Sequence, residues 1–149
     1  MLVIRSILAI LVPLLIITAI VEGLEMLIVS QKAKLTMNQL MNNQETYFKI
    51  RNQTPVLVAK FIYNFLAGLL GGIACVSIAK KKFLNHVIVL VALQGLFFIW
   101  GMFFSEYAAA TPIWAWVLFL LTTLSGIYWG AAWKIKVLTR KSSTSNSGY

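Results

Sequence analysis

The chain reads as an all-α membrane protein, four transmembrane helices in one antiparallel bundle, and three observations predict this. Of 149 residues, 60% are hydrophobic and 11% charged, with a mean hydropathy of +0.83; that leaves too little polar surface to coat a soluble domain of this size. Four apolar stretches, at about 6–29, 55–79, 85–104 and 112–133, each supply the ~20 residues that cross a hydrocarbon layer about 30 Å thick. The formal charge of +9 sits in clusters flanking those stretches. Lipid headgroups account for basic clusters so placed, and a nucleic-acid partner is not expected.

The first stretch begins with Arg5 and runs apolar from Ile7 to Val21, as the charged start and hydrophobic region of a secretory signal do. No small-x-small cleavage site follows around Thr18 and Ala19, and the apolar run resumes after Glu25 as Met26 to Val29, so a retained span is expected. Pro13 removes a backbone donor inside it and predicts a kink. The polar outer loop, 31–54, carries Lys32, Lys34, Glu45, Lys49 and Arg51 among many Asn and Gln residues. Met37, Leu40, Met41 and Phe48 fall near helical spacing, so this segment is read either as a short interfacial helix on the bilayer or as a solvated loop. Asn52-Gln53-Thr54 matches a glycosylation acceptor but abuts the membrane.

Pro55 opens the second span where its missing donor costs nothing, with Thr54 placed to cap it. The run ends at Lys80-Lys81-Lys82, and so short a connection predicts that the second and third helices are antiparallel neighbours. The third span closes at Phe104; 105–111 is a turn carrying Glu106, and Pro112 begins the fourth span. Trp114, Trp116, Trp129 and Trp133 near the two ends of that span resemble an interfacial aromatic belt. Residues 139–149, mostly Ser, Thr, Asn and Gly after Arg140 and Lys141, have nothing to bury and are expected to form a disordered cytoplasmic tail. With both termini on one side, that side collects Arg5, Lys80, Lys81, Lys82, Lys134, Lys136, Arg140 and Lys141, against Lys32, Lys34, Lys49 and Arg51 on the other. The positive-inside rule makes the termini cytoplasmic. No internal repeat is visible, which disfavours an inverted-repeat transporter within one chain.

Glu22, Glu25 and Lys60 are the ionisable residues within or at the margins of the spans. At 1.5 Å per residue, Glu22 and Glu25 lie roughly 25 and 30 Å from Arg5, and Lys60 roughly 30 Å from Lys80, so the three share a depth near the outer surface. A charge near hydrocarbon is costly unless paired or snorkelling, which predicts an interhelical ion pair of Lys60 with Glu22 or Glu25. The functional alternative for the same residues is a proton or cation site. Gln94, Thr122 and Thr123 are polar and near the midplane, with Asn64 higher, and a hydrogen bond between Gln94 and the threonine pair is the simple expectation. Gly68 and Gly72, interleaved with Ala67, Gly71, Cys75 and Ala79, form small-residue ridges on the second span, and Gly126 and Gly130 repeat the spacing on the fourth. Small residues four apart let backbones approach closely and support helix packing.

Enzymatic chemistry lacks its usual groups. His86 and Cys75 are the only histidine and cysteine, so no disulfide is possible within the chain and no zinc site is expected. No aspartate occurs, and the nucleophile elbow, phosphate loop and HExxH patterns are missing. No cofactor is expected.

Ile4-Arg5-Ser6-Ile7-Leu8-Ala9, Glu22 late in the first span, Leu69-Leu70-Gly71-Gly72 with Ala79-Lys80, Thr111-Pro112-Ile113-Trp114-Ala115-Trp116 and Gly130-Ala131-Ala132 together resemble a family of small, uncharacterised bacterial four-helix membrane proteins. Where typical members have a Pro-rich acidic outer loop, this one is rich in Asn, Gln and Lys. The resemblance implies an inner-membrane location and carries over no activity. Two functional classes therefore stand at this point. The first is a non-enzymatic accessory or structural component contacting anionic headgroups, a membrane-protein partner or a second copy. The other is a small oligomeric proton- or cation-coupled transporter or channel using Glu22 and Glu25.

Overall fold

A computed structural model describes residues 2–79, 82–104 and 110–145. They form six helices: α1 (Leu2–Ala33), α2 (Met37–Met41), α3 (Gln44–Arg51), α4 (Thr54–Ala79), α5 (Phe83–Phe104) and α6 (Ile113–Ser145). The helices α1, α4, α5 and α6 are long and apolar enough to cross a membrane. Leu15, Ile62, Leu96 and Phe103 are among many large apolar side chains left outside the packed interior. An apolar exterior of this extent has no place in water and is satisfied by lipid.

The helix α4 occupies the centre, packed mainly on α6 and α1. A side chain at Gly68 would overlap the Thr123 carbonyl, and one at Gly72 would overlap that of Ile127. From the other side, Gly126 meets the backbone of Phe65 and Gly130 that of Leu69. Both glycine pairs thus face each other across one seam, and contacts advance in the same direction along α4 and α6. Their small-residue surfaces are used within a single chain, where dispersion between closely approaching backbones holds helices together in lipid. Gly71 points elsewhere. An added Cβ there would lie 2.6 Å from Ile17 of α1, so the two ridges on α4 serve two different neighbours.

Along α1 and α4 the contacts run in opposite order: Glu25 meets Lys60, Ile17 meets Gly71, and Arg5 Nε donates to the Ile78 carbonyl at 3.1 Å. That last bond satisfies an otherwise orphan carbonyl near the end of α4. Pro13 is buried inside α1, which remains helical through it. The short link between α4 and α5 predicts a close pair, yet α5 packs more lightly, spread over α6, α4 and α1. Connection length fixes adjacency, but the glycine surfaces decide which helix α4 packs most closely.

The 31–54 segment contains two short helices, so the expected single interfacial helix or open loop is replaced by a docked cap. Lys34, in the left-handed region at φ 55°, ends α1, with Leu35 N–H donating to the Ser30 carbonyl at 3.3 Å in a Schellman-type closure. Thr36 and Gln39 form a capping box that starts α2, and Asn43 caps α3 through a 3.2 Å bond from Thr46 N–H. Leu40 then buries itself against Val29 and Val56, which fastens the cap to α1 and α4. At the opposite end of the chain α6 stays helical to Ser145, beyond the boundary expected at 138; the expected tail beyond Ser145, at 146–149, lies outside the described residues. The turn residues Lys80, Lys81 and Glu106 also lie outside them.

Candidate functional site

The site is built around Glu25, which lies on the buried stripe of α1 and is 2% exposed. Its Oε1 accepts a 2.5 Å hydrogen bond from the Tyr47 hydroxyl and lies 2.5 Å from Arg51 Nε. Oε2 is paired with Lys60 Nζ. Tyr47 and Arg51 are four residues apart on α3 and so share a helix face, which is how one carboxylate receives both. Three elements converge on Glu25: its own α1, the cap helix α3, and the central α4.

Further contacts extend the network. Arg51 Nη1 donates to Thr111 Oγ1 at 2.6 Å, and its guanidinium centre lies 5.6 Å from the Phe48 ring and 6.0 Å from the Trp116 ring. Asn52 Nδ2 donates to the Ala110 carbonyl, so α3 is tied to the start of α6 as well. Lys60 Nζ sits 4.8 Å from the centre of the Phe119 ring. A buried carboxylate is tolerable only with such company, because desolvation of each ion must be offset by close pairing, hydrogen bonds and cation–π contact.

One turn below Lys60, Asn64 Nδ2 donates to the Lys60 carbonyl at 2.7 Å, and its Oδ1 accepts from Thr123 Oγ1 at 3.1 Å. The expected bond between Gln94 and the threonine pair is absent. Thr123 faces α4 across the glycine seam, and Thr122 back-bonds to the Leu118 carbonyl at 2.8 Å. Replacing Thr123 with Val therefore removes an interhelical bond and is expected to cost about 1 kcal/mol in reversible unfolding in detergent, whereas Thr122→Val changes stability by less than about 0.5 kcal/mol.

Glu22 shares the depth of Glu25 but is exposed. A three-residue step along a helix turns the side chain by about 60°, enough to separate a core position from a boundary one. Glu22 does not join the Lys60 pair; it lines a cavity of about 820 Å³ beneath the cap. All six helices contribute to the walls, for example Glu22, Leu40, Tyr47, Asn64, Gln94 and Trp116. Ile17 and Glu25 both line it and are eight residues apart, so it reaches about 12 Å along α1. Ile17 also belongs to the packed core cluster with Ala67, Cys75, Leu90 and Ile127, which forms the floor.

No family model, curated protein or solved structure matches this chain. The site must therefore be read from its own chemistry. The ions of the network are paired with one another, while polar groups elsewhere on the wall are not. Gln94, 8% exposed, makes no hydrogen bond among the described residues, and the Trp116 indole N–H is buried without an acceptor. A buried polar group without a partner costs free energy that a water or a ligand recovers. Among the described residues no cluster of three His, Cys, Asp or Glu side chains is arranged to hold a metal.

Tyr47, Arg51 and Trp116 are not singled out by the sequence as site candidates, and Asn64 is legible there only as a polar residue higher in its span. The spacing of Tyr47 and Arg51 held the signal: an aromatic hydroxyl and a cation four apart, in the segment at the depth of Glu25.

Proposed function

We propose that this chain is a non-enzymatic, multi-pass inner-membrane protein, an antiparallel four-span bundle with cytoplasmic termini, whose capped outer cavity binds a small amphipathic molecule. The observation that carries this reading is the cavity wall, where the Trp116 indole N–H is buried without an acceptor and the Gln94 amide stands among the Phe97, Phe98 and Phe119 rings. An apolar lining with a few convergent polar groups is the usual make-up of a small-molecule site, and about 820 Å³ falls within the size range of such sites. Glu25, Arg51, Tyr47 and Lys60 are structural in this reading, holding the roof in place. Membership of the family that the sequence motifs resemble is part of the same proposal.

A second reading, proton- or cation-coupled transport in an oligomer, draws support from Glu22 on the cavity wall. Against it stand the commitment of Glu25 to two cations and the packed floor of Ile17, Ala67 and Leu90.

Cysteine accessibility tests the cavity without knowledge of its ligand. In a Cys75→Ala background, Gln94→Cys is expected to react with a membrane-impermeant, water-soluble maleimide added from the outer side of intact cells. Leu96→Cys, two residues away and 61% exposed on the apolar exterior, is expected to stay unlabelled, because a thiol in hydrocarbon does not ionise. Equal rates at the two positions would mean a dry interior and end the ligand reading. Labelling of Gln94→Cys only in inverted vesicles would reverse the topology.

A further inference from the structure

At the end of the molecule opposite the cap, a groove of about 530 Å³ opens between the end of α4, the start of α5 and the C-terminal part of α6. Val76, Phe83, Ile135 and Leu138 line it, together with Lys134, Ser77 and Thr139. Lys134, Ile135, Leu138 and Thr139 share one face of α6 because they recur at the spacing of a helical turn. The groove is thus a largely apolar slot with one cation among its lining residues. Trp133, next in sequence to Lys134, is 59% exposed and Trp129 64%; exposed tryptophans at one level of a membrane helix mark the headgroup boundary.

Charge is distributed unevenly along the bundle. Glu22, Glu25 and Glu45 lie in the capped half, while the described residues around the groove end carry Arg5, Lys82, Lys134, Lys136 and Arg140 and no carboxylate. We infer that this groove is a site for one anionic phospholipid, with the phosphate at the Lys134 ammonium and the first methylenes of an acyl chain along Val76, Phe83, Ile135 and Leu138. The apolar slot gives the site a definite place, and the surrounding cations favour a negative headgroup over a zwitterionic one. The inference is independent of the outer cavity, which shares no residue with the groove.

The test uses the full chain in nanodiscs of phosphatidylcholine containing 10% spin-labelled phosphatidylglycerol, with spin-labelled phosphatidylcholine as reference, and reads the motionally restricted fraction by electron paramagnetic resonance. The wild type is expected to prefer phosphatidylglycerol. Lys134→Met is expected to lower that preference about fivefold, whereas Lys136→Met, also basic but not lining the groove, lowers it less than about twofold. Ser77→Trp, which fills the slot without changing charge, is expected to act as Lys134→Met does, in protein whose helical content and melting temperature match the wild type. Equal losses for Lys134→Met and Lys136→Met, or an unaltered preference in Ser77→Trp, would reduce the effect to diffuse surface attraction and overturn the site. Displacement of the lipid by inorganic phosphate at equal ionic strength would also overturn it, because a site for phosphate alone has no use for the slot.

Discussion

Replacing Glu25 with Gln is expected to destabilise the protein by about 3–5 kcal/mol in reversible unfolding in detergent. The substitution preserves volume but leaves the cations of Arg51 and Lys60, with side chains 9% and 5% exposed, without their shared counter-ion. Coulomb attraction was offsetting their desolvation, so its loss exposes the whole penalty. Removing one cation is milder. In Lys60→Met, Glu25 retains Arg51 and Tyr47, and an apolar side chain fits beside Phe119, so a loss below about 2 kcal/mol is expected. The double variant Glu25→Gln with Lys60→Met should be more stable than Glu25→Gln alone, since it carries one fewer uncompensated buried cation. A Glu25→Gln protein as stable as the wild type would mean that the network contributes nothing to holding the bundle.

The second large effect is expected at the α4–α6 seam. Gly72→Ala places a methyl group against the Ile127 carbonyl and 2.8 Å from Ala131 N, and Gly126→Ala places one against the Phe65 carbonyl and 2.9 Å from Leu69 N. These neighbours are backbone atoms of another helix, which cannot rotate away as a side chain does; the axes must part and lose contacts along the whole seam. Each substitution is expected to cost about 1–3 kcal/mol, measured in the same unfolding assay. Gly95→Ala and Gly23→Ala are the controls. Nothing lies within 4 Å of a Cβ at either position, and both are helical, so both should raise stability by about 0.5–1 kcal/mol. If alanine at Gly72 behaved like alanine at Gly95, close backbone approach would not be what holds α4 to α6.

Much of this architecture can be read from periodicity and counting. Four apolar runs give the four long helices, and the distance of Glu25 from Arg5 and of Lys60 from Lys80 places both at one level, where they meet. What counting does not supply is the rotation of each helix. Glu22 and Glu25 are interchangeable by depth, yet only Glu25 faces α4. Gln94 and Thr123 are interchangeable with other midplane partners, and Thr123 turns to Asn64 because the glycine seam turns that face of α6 toward α4. The cap was harder to foresee. Tyr47 and Arg51 look like ordinary loop residues until α3 folds back, and Leu40, though at helical spacing, does not show what it docks on; the local signals are the capping box at Thr36–Gln39 and the four-residue step from Tyr47 to Arg51. Gln94 was legible as a midplane polar residue, but Trp116 became a site candidate only through the buried indole N–H that lacks an acceptor, which no sequence pattern displays.

The central claim is that Glu25 holds the α2–α3 cap over the cavity, and the distance between the cap and α1 tests it most directly. Spin labels at Lys49→Cys on α3 and Leu27→Cys on α1, both exposed positions, in a Cys75→Ala background, report that distance by pulsed electron paramagnetic resonance. With Glu25 present a single narrow distribution is expected, and with Glu25→Gln a broad one shifted to longer distances as the cap comes away. An unchanged narrow distribution in the Glu25→Gln protein would contradict the account.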